Sequence, residues 1–328
     1  MRSPTRRLAL LLSTATLLST WATGAVAQAY PNRPVRLIVP FAAGGGTDFF
    51  ARTVGQKLAE NMGQTIVVDN KPGAGTIIGT DAAAKSPGDG YTVLLADSSS
   101  LVLNPSLYSK LPYDVDKDFA AVAVTARFAM ILVVNPNASK SSNLKELIEE
   151  MKKADGKMNY ASVGAGSLSH LTMELFQRQI GVKLTHIAYK GAGPAMLDVV
   201  GGQVPMMVVD LAAGAPMIKS GKLKPLAVAS AKRISALPDV PTFTEQGVPN
   251  FETWAWQALV VPAATPKEIV AKINTDYIKT INDVSVQQKL ADSGVELVTT
   301  TPAEAAAYFK SEAAKWSTVI KQANIKLE

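Results

Sequence analysis

Short apolar runs rich in β-branched residues alternate with segments of helical apolar spacing along most of this chain. The first run covers residues 35–40. A glycine cluster then leads into residues 48–62, where apolar side chains recur every three or four positions. Further strand-like runs follow at 66–68, 91–95, 185–187, 205–209 and 225–229. Repeated strand–helix units of this kind predict an α/β fold with parallel-rich sheets flanked by helices on both faces.

Two longer apolar runs, at residues 122–134 and 254–261, indicate strands that pass between domains. A chain of 328 residues has room for two domains of about 150 residues each. We therefore expect a discontinuous first lobe built from residues 30–128 and 252–328. The second lobe, residues 129–251, would be inserted into it, with a ligand cleft between the two.

Residues 1–29 have the features of a secretory signal peptide. Three arginines among the first seven residues precede an apolar stretch at 8–18, and small residues place the cleavage near Ala27 or Ala29. The stretch is shorter than the roughly 20 residues that span a bilayer, although an uncleaved N-terminal anchor remains the alternative. Cleavage lowers the basic count from 33 to 30 against 27 acidic residues, so the net charge falls from +6 to +3. We therefore expect an exported periplasmic protein with no nucleic-acid partner.

The loop after the first predicted strand, residues 40–48, contains three consecutive glycines and leads directly into a helix. Main-chain N–H groups left uncovered by glycine, together with the positive end of the helix dipole, can hold an anion without a cationic side chain. The loop lacks the Gly-Lys-Ser/Thr ending of nucleoside-triphosphate sites. A plain glycine-rich turn with Asp48 as the helix N-cap remains the alternative.

Four other predicted strand–helix turns also carry small polar residues. Residues 159–170 also read as a strand, then small residues, then a helix, with Ser167 as the N-cap of that helix. Ser169 stands in place of the third glycine of a dinucleotide fingerprint. The remaining turns place hydroxyl or charged groups after strands at Ser98, Ser99, Tyr189, Lys190 and Asp210. Together the five turns predict a cleft lined with hydrogen-bond donors and suited to a small anion.

The residues that carry most catalytic chemistry are scarce in this sequence. The chain has no cysteine, which excludes disulfides, thiolate nucleophiles and iron–sulfur clusters, and it has no Gly-x-Ser-x-Gly motif. Packing or capping is the expected role of its two histidines, His170 and His186. No cofactor motif surrounds Lys190, and nothing groups the acidic residues into a metal site. We therefore expect no catalytic residue, no cofactor and no metal.

Eleven short motifs occur in one order along the chain. They are YPNRP at 30–34, PFAAGGGTD at 40–48, AR at 51–52, GDGYT at 88–92, NPSLY at 104–108, LPYD at 111–114, KDF at 117–119, GSLSHL at 166–171, YKG at 189–191, GGQV at 201–204 and LPDVPT at 237–242. With these motifs the sequence resembles the solute-binding proteins of tripartite tricarboxylate transporters, the Bug family, over essentially the whole mature chain.

The resemblance implies a two-lobed type II periplasmic-binding-protein fold that closes about a hinge on a small organic carboxylate. Such ligands are di- and tricarboxylates, acidic amino acids and aromatic carboxylates, and the partners are integral-membrane permease subunits driven by an ion gradient. Carried over by motif, the ligand-binding positions are Phe41, Ala42, Thr47 and Asp48 in one lobe and Ala161, Ser162, Gly166 and Ser167 in the other. His170, Tyr189 and Lys190 also match family positions, and we count them with Ser98, Ser99 and Asp210 among the predicted ligand-binding residues. For the three matched positions, shaping the cleft without touching the ligand is the alternative.

Asp210 is an acidic residue in a cleft expected to bind anions. A carboxylate there repels an anion unless it faces a donor group. We therefore hypothesise that Asp210 recognises an amino or hydroxyl substituent of the ligand. Two other functions stay open at this point: a ligand sensor that presents a carboxylate to a membrane signalling protein, and a periplasmic hydrolase or lyase.

Overall fold

The computed structural model describes residues 30–44, 46–291 and 295–327. The predicted signal peptide, residues 1–29, lies outside the described residues. The fold set out below is that of the compact unit that begins at Arg33.

Ten strands and eleven helices make up the described part of this unit. The strands are β1 (Val35–Val39), β2 (Ile66–Asn70), β3 (Thr92–Asp97), β4 (Phe119–Val134), β5 (Asn159–Ser162), β6 (Thr185–Ala188), β7 (Met206–Asp210), β8 (Lys224–Val228), β9 (Trp254–Pro262) and β10 (Glu296–Leu297). The helices are α1 (Gly46–Met62), α2 (Ile77–Ala84), α3 (Asn104–Leu107), α4 (Val115–Asp118), α5 (Leu144–Ala154), α6 (Leu168–Ile180), α7 (Ala192–Val200), α8 (Leu211–Lys219), α9 (Lys267–Ile281), α10 (Val284–Ala291) and α11 (Pro302–Ala323).

The strands form one mixed sheet in the order β2-β1-β3-β9-β4-β7-β5-β6, with β8 and β10 also paired to β4. The outer strands are parallel, as predicted: β1 pairs with β2 and β3, and β5 pairs with β6 and β7. The central strands β4 and β9 are antiparallel to their neighbours. The sheet is therefore parallel-rich on both flanks, as predicted, and the chain crosses its centre outward along β4 and returns along β9 in the antiparallel direction.

The long strand β4 changes partners part of the way along its length. From Phe119 to Ala129 it pairs with β9, and from Met130 to Val134 it pairs with β7 and β8. We call β2, β1, β3, β9 and the Phe119–Ala129 part of β4 the first sheet half. The second sheet half consists of the Met130–Val134 part of β4 together with β5, β6, β7 and β8. Both β4 and β9 are almost wholly buried, which explains why their sequences read as continuous apolar runs.

Several helix boundaries follow from local sequence signals. Asn143 and Ser167 cap α5 and α6 by accepting hydrogen bonds from the N–H groups of Glu146 and His170, and the second contact confirms the predicted N-cap at Ser167. Pro266 precedes α9, and Pro302 is the first residue of α11. Helix α11 then buries Trp316, which belongs to the main hydrophobic core together with Trp256 of β9.

Within the described residues, no helix is both long and apolar enough to cross a membrane. The same part of the chain holds no group of three or more histidine or acidic side chains arranged to bind a metal ion.

Candidate functional site

The predicted ligand-binding residues lie at the carboxyl ends of the parallel strands, in both sheet halves. In the first half, residues 40–47 follow β1, and Ser98 and Ser99 follow β3. In the second half, residues 163–167 follow β5, Tyr189 and Lys190 follow β6, and Asp210 ends β7. Ligands of α/β proteins sit at this edge because helix N-termini converge there.

Asp48 organises the first loop from within helix α1. Its Oδ2 accepts hydrogen bonds from the Gly44 N–H and from Arg52 Nε, each at 2.9 Å, while its Oδ1 accepts one from Asn70 Nδ2 at 3.0 Å. Asn70 Nδ2 also donates to the Phe41 carbonyl at 3.1 Å. The Arg52 guanidinium lowers the pKa of Asp48 to about 2, so the carboxylate stays ionised at neutral pH.

This arrangement differs from the alternative in which Asp48 is a helix N-cap. The helix begins at Gly46, and Asp48 lies in its first turn with 4% of its surface exposed. Its carboxylate is occupied by three donors from the loop, the helix and β2. Asp48 therefore fixes the path of the loop, while Ala42 is exposed at its surface.

Thr47 is hydrogen-bonded to a residue outside the predicted site. Its Oγ1 accepts a hydrogen bond of 2.9 Å from Nε2 of Gln257, in β9. Gln257 pairs with Asp97 at the carboxyl end of β3, and its side chain is 5% exposed. The signal that could have identified Gln257 is that it is the single polar residue in the apolar run 254–261.

The second loop is held by Ser162 and Ser167. The Ser162 hydroxyl is fully buried; it accepts from the Gly164 N–H at 3.2 Å and lies 2.6 Å from His186 Nε2. Ser167 Oγ donates to the Gly164 carbonyl at 2.6 Å while capping α6. Both hydroxyls therefore have partners within the chain. Ala161, in β5, is also fully buried and is paired with Ile187 of β6 and Met207 of β7.

The backbone conformation at Gly166 favours glycine. Its φ is +73°, and a Cβ would come within 2.9 Å of a Leu107 methyl carbon. Its N–H donates to Nδ1 of His170 at 3.1 Å. The backbone at Gly166 is thus set by steric contact on one side and by a histidine on the other.

His170 and His186 lie against each other although they are 16 positions apart in the sequence. Their ring centroids are 3.7 Å apart with planes inclined by 10°, and the Tyr160 ring stacks on His186 at 5.0 Å. Burial lowers the pKa of both histidines, that of His170 to about 3, so both rings are neutral at pH 7. Both rings are packed against other rings of the protein, and their contact with each other was not predicted.

The remaining predicted residues have local partners or face outward. Ser98 is buried and Ser99 is half-buried, in the turn where Asp97 accepts from the Ser100 N–H and hydroxyl. The Tyr189 hydroxyl donates to Asp198 at 2.6 Å, and Lys190 is exposed.

Asp210 ends β7 and caps α8. Its Oδ1 accepts from the Ala213 N–H at 2.9 Å, and burial raises the pKa of its carboxyl group. Asp210 also pairs with Met130, at the point where β4 changes partners. It therefore lies close to the junction of the two sheet halves.

The described chain also contains two cavities, one of which is lined in part by Leu211, the residue after Asp210. One, of about 560 Å³, is lined by residues that include Arg127, Trp254 and Ser230. The other, of about 840 Å³, is lined by Tyr113, Phe309 and neighbouring residues. Neither contains a predicted ligand-binding residue. The candidate site is thus formed by loops at strand ends and not by either cavity.

A mixed α/β sheet with helices that begin at the carboxyl ends of its parallel strands is typical of periplasmic binding proteins, and solved structures of that class match this chain closely. The periplasmic binding protein BugD is 35% identical, with a TM-score of 0.78, and the match covers 91% of this chain and 100% of that chain. An R. palustris protein solved with adipate is 35% identical, with a TM-score of 0.81, and the match covers 90% of this chain and 99% of that chain. The predicted fold class is confirmed.

Sequence comparison identifies the family. The model of the tripartite tricarboxylate transporter family receptor, TctC, matches residues 50–325. The protein BugT of Bordetella pertussis is 37% identical over 303 residues, which cover 92% of this chain and 93% of that protein. The chain therefore belongs to the TctC family of solute-binding receptors, which are binding proteins and not enzymes.

Proposed function

We propose that this protein captures a small organic carboxylate in the periplasm and delivers it to the integral-membrane permease subunits of a tripartite tricarboxylate transporter. The observation that carries the proposal is the pair of loops that follow β1 and β5, which lie at the carboxyl ends of parallel strands and lead into the N-termini of α1 and α6. The R. palustris relative solved with adipate supports a dicarboxylate as the ligand class.

The main chain supplies the donors for the bound carboxylate in this proposal. Helix N-termini and glycine-rich turns bind anions through N–H groups and the helix dipole. The negative charge of Asp48 is balanced by Arg52, at 2.9 Å, so the first loop does not repel an anion. Asp210 is the residue proposed to recognise an amino or hydroxyl substituent on the ligand.

Closure of two lobes about a hinge is the proposed means of capture. The lobes would comprise residues 30–128 with 252–328, and residues 129–251. The change of partners in β4 between Ala129 and Met130 supports a boundary at that point. A solute that contacts both lobes stabilises the closed form by its higher affinity for that form, which the permease would then recognise.

Export to the periplasm is the proposed role of residues 1–29, with cleavage near Ala27 or Ala29. The similarity to the periplasmic binding protein BugD supports this location. Amino-terminal sequencing of the protein from a periplasmic extract tests it. A mature chain that begins within a few residues of Ala29 is expected, and a full-length chain recovered in the membrane fraction contradicts the proposal.

A ligand screen tests the function itself. Purified mature protein is titrated by calorimetry with adipate, succinate, malate, aspartate, citrate and benzoate, and the recovered solutes are analysed by mass spectrometry. We expect at least one of them to bind with micromolar or tighter affinity and to be recovered unchanged. Chemical conversion of the solute would favour a hydrolase or lyase, and binding of none of these carboxylates would refute the proposal.

A further inference from the structure

Three aromatic rings are stacked beneath the second loop. Tyr160 of β5 and His186 of β6 are direct partners across the parallel pair, so their side chains lie on the same face of the sheet. His170 reaches the same stack from α6. The rings therefore join the two strands and the helix that border residues 163–167.

Two hydrogen bonds connect this stack to the loop. His170 Nδ1 accepts the Gly166 N–H at 3.1 Å, and His186 Nε2 lies 2.6 Å from the Ser162 hydroxyl. Ser162 in turn accepts the Gly164 N–H. The loop is thus held at two glycines, one on either side of Ala165, and each link ends at a histidine.

The Gly166 bond determines the tautomer of His170. A nitrogen that accepts a hydrogen bond carries no proton, so the neutral ring is protonated at Nε2. That nitrogen lies 3.8 Å from Glu174 Oε1, which is beyond hydrogen-bond distance but close enough for electrostatic attraction. Glu174 Oε1 itself accepts hydrogen bonds from the Tyr160 hydroxyl and from Gln177 Nε2, each at 2.9 Å. The carboxylate of Glu174 therefore favours the tautomer that the loop requires.

This network also determines which donors remain for a ligand. The N–H groups of Gly164 and Gly166 are used inside the protein. Ala165, between them, is exposed, and no acceptor for its N–H occurs in the described chain. The first turn of α6 adds N–H groups at Leu168 and Ser169 that have no intrahelical acceptor.

We propose that His170 and His186 are positioning residues for carboxylate capture, which hold the loop at Gly166 and Ser162 so that the Ala165 N–H and the first turn of α6 point at the ligand. The proposal rests on the proposed function, because it assigns these two residues a task in the same site. Neither histidine touches the ligand in this account.

Isosteric pairs of variants separate this role from simple packing. His170→Asn keeps an acceptor close to the position of Nδ1, whereas His170→Leu keeps the shape and removes it. His186→Gln retains a polar atom near Nε2, whereas His186→Met does not. Each pair loses the imidazole stack to a similar degree, so a difference within a pair reports the hydrogen bond alone.

The first experiment uses the ligand-free protein. Nitrogen-15 NMR of the parent is expected to show His170 protonated at Nε2, and amide exchange to show Gly166 protected. In His170→Leu the exchange at Gly166 should accelerate by at least about 10-fold, and His170→Asn should stay within about 3-fold of the parent. A proton on His170 Nδ1, or equal exchange in the two variants, would overturn the proposal.

The second experiment measures affinity for adipate, with the other carboxylates of the screen as further probes. We expect His170→Leu and His186→Met to bind at least about 10-fold more weakly than the parent, and the Asn and Gln variants to recover most of that loss. Equal affinity within each pair overturns the proposal. If the parent binds none of the probes, the proposed function fails, while the exchange experiment still decides whether the histidines hold the loop.

Discussion

Replacement of Asp48 by asparagine should loosen the first ligand loop and weaken both the fold and the binding of solute. The carboxylate now accepts from Gly44, Arg52 and Asn70. An asparagine retains one oxygen and turns an NH₂ group toward at least one of these donors. The variant therefore loses the charge of the acceptor and leaves one donor unpaired.

The magnitude follows from these contacts. A hydrogen bond to a charged group contributes about 1.5–3 kcal/mol, but the Arg52 side chain is 53% exposed, so its share is screened to about 1 kcal/mol or less. We expect the free energy of unfolding to fall by about 2–3 kcal/mol in urea titrations at pH 7. The affinity for adipate, measured by calorimetry, should fall at least about 10-fold because the carboxylate that holds Gly44, and that positions Asn70 against the Phe41 carbonyl, is lost.

The pH dependence provides an internal check. Because the pKa of Asp48 is lowered from 3.8 to about 2, its stabilisation is complete above pH 4 and disappears as the pH falls toward 2. The difference in unfolding free energy between the parent and Asp48→Asn should therefore also disappear as the pH falls toward 2. Glu149→Gln serves as the matched control, since Glu149 pairs with Lys152 on the exposed surface. A loss in Asp48→Asn no larger than that of the control would refute the reasoning.

Three further predictions concern other parts of the site. Burial lowers the pKa of His170 from 6.5 to about 3, so between these pH values the unfolded chain binds a proton that the folded chain does not. Between pH 7 and pH 5 the free energy of unfolding of the parent, measured in urea, should therefore fall by about 2 kcal/mol more than that of His170→Asn. Parallel plots of unfolding free energy against pH for the two proteins would contradict this. Gln257→Leu removes the donor to Thr47 and should change stability by about 1 kcal/mol or less, yet lower the affinity for adipate several-fold; unchanged affinity in calorimetry would show that Thr47 needs no such support. Asp210→Asn keeps an oxygen to cap α8 and should reduce the preference for malate or aspartate over succinate. A binding profile that matches the parent's would show that Asp210 does not recognise donor groups of the ligand.

The sequence predicted the features of the fold that depend on local chemistry. Strands β1, β6 and β7 and the N-cap at Ser167 lie where periodicity and capping preferences place them. The antiparallel centre of the sheet was missed, because apolar content shows that β4 and β9 are buried but not the direction of their neighbours.

The positions of the site loops were also predictable, but the hydrogen bonds and ring contacts that hold them were not. Glycine clusters after strands identify where N–H groups are uncovered. The contact of Thr47 with Gln257, however, joins residues 210 positions apart. The stacking of His170 on His186 likewise depends on how α6 packs across β5 and β6, which no local pattern encodes. Asp48 was open to interpretation as an N-cap because its three donors come from three different elements.

A crystal structure of the protein with the carboxylate that binds it most tightly tests the central claim most directly. We predict a ligand carboxylate within about 2.7–3.2 Å of main-chain nitrogens from both residues 41–48 and residues 161–169. No lysine or arginine side chain should contact that carboxylate. A ligand held instead by the Arg127 guanidinium in the cavity beside Trp254 would contradict the account.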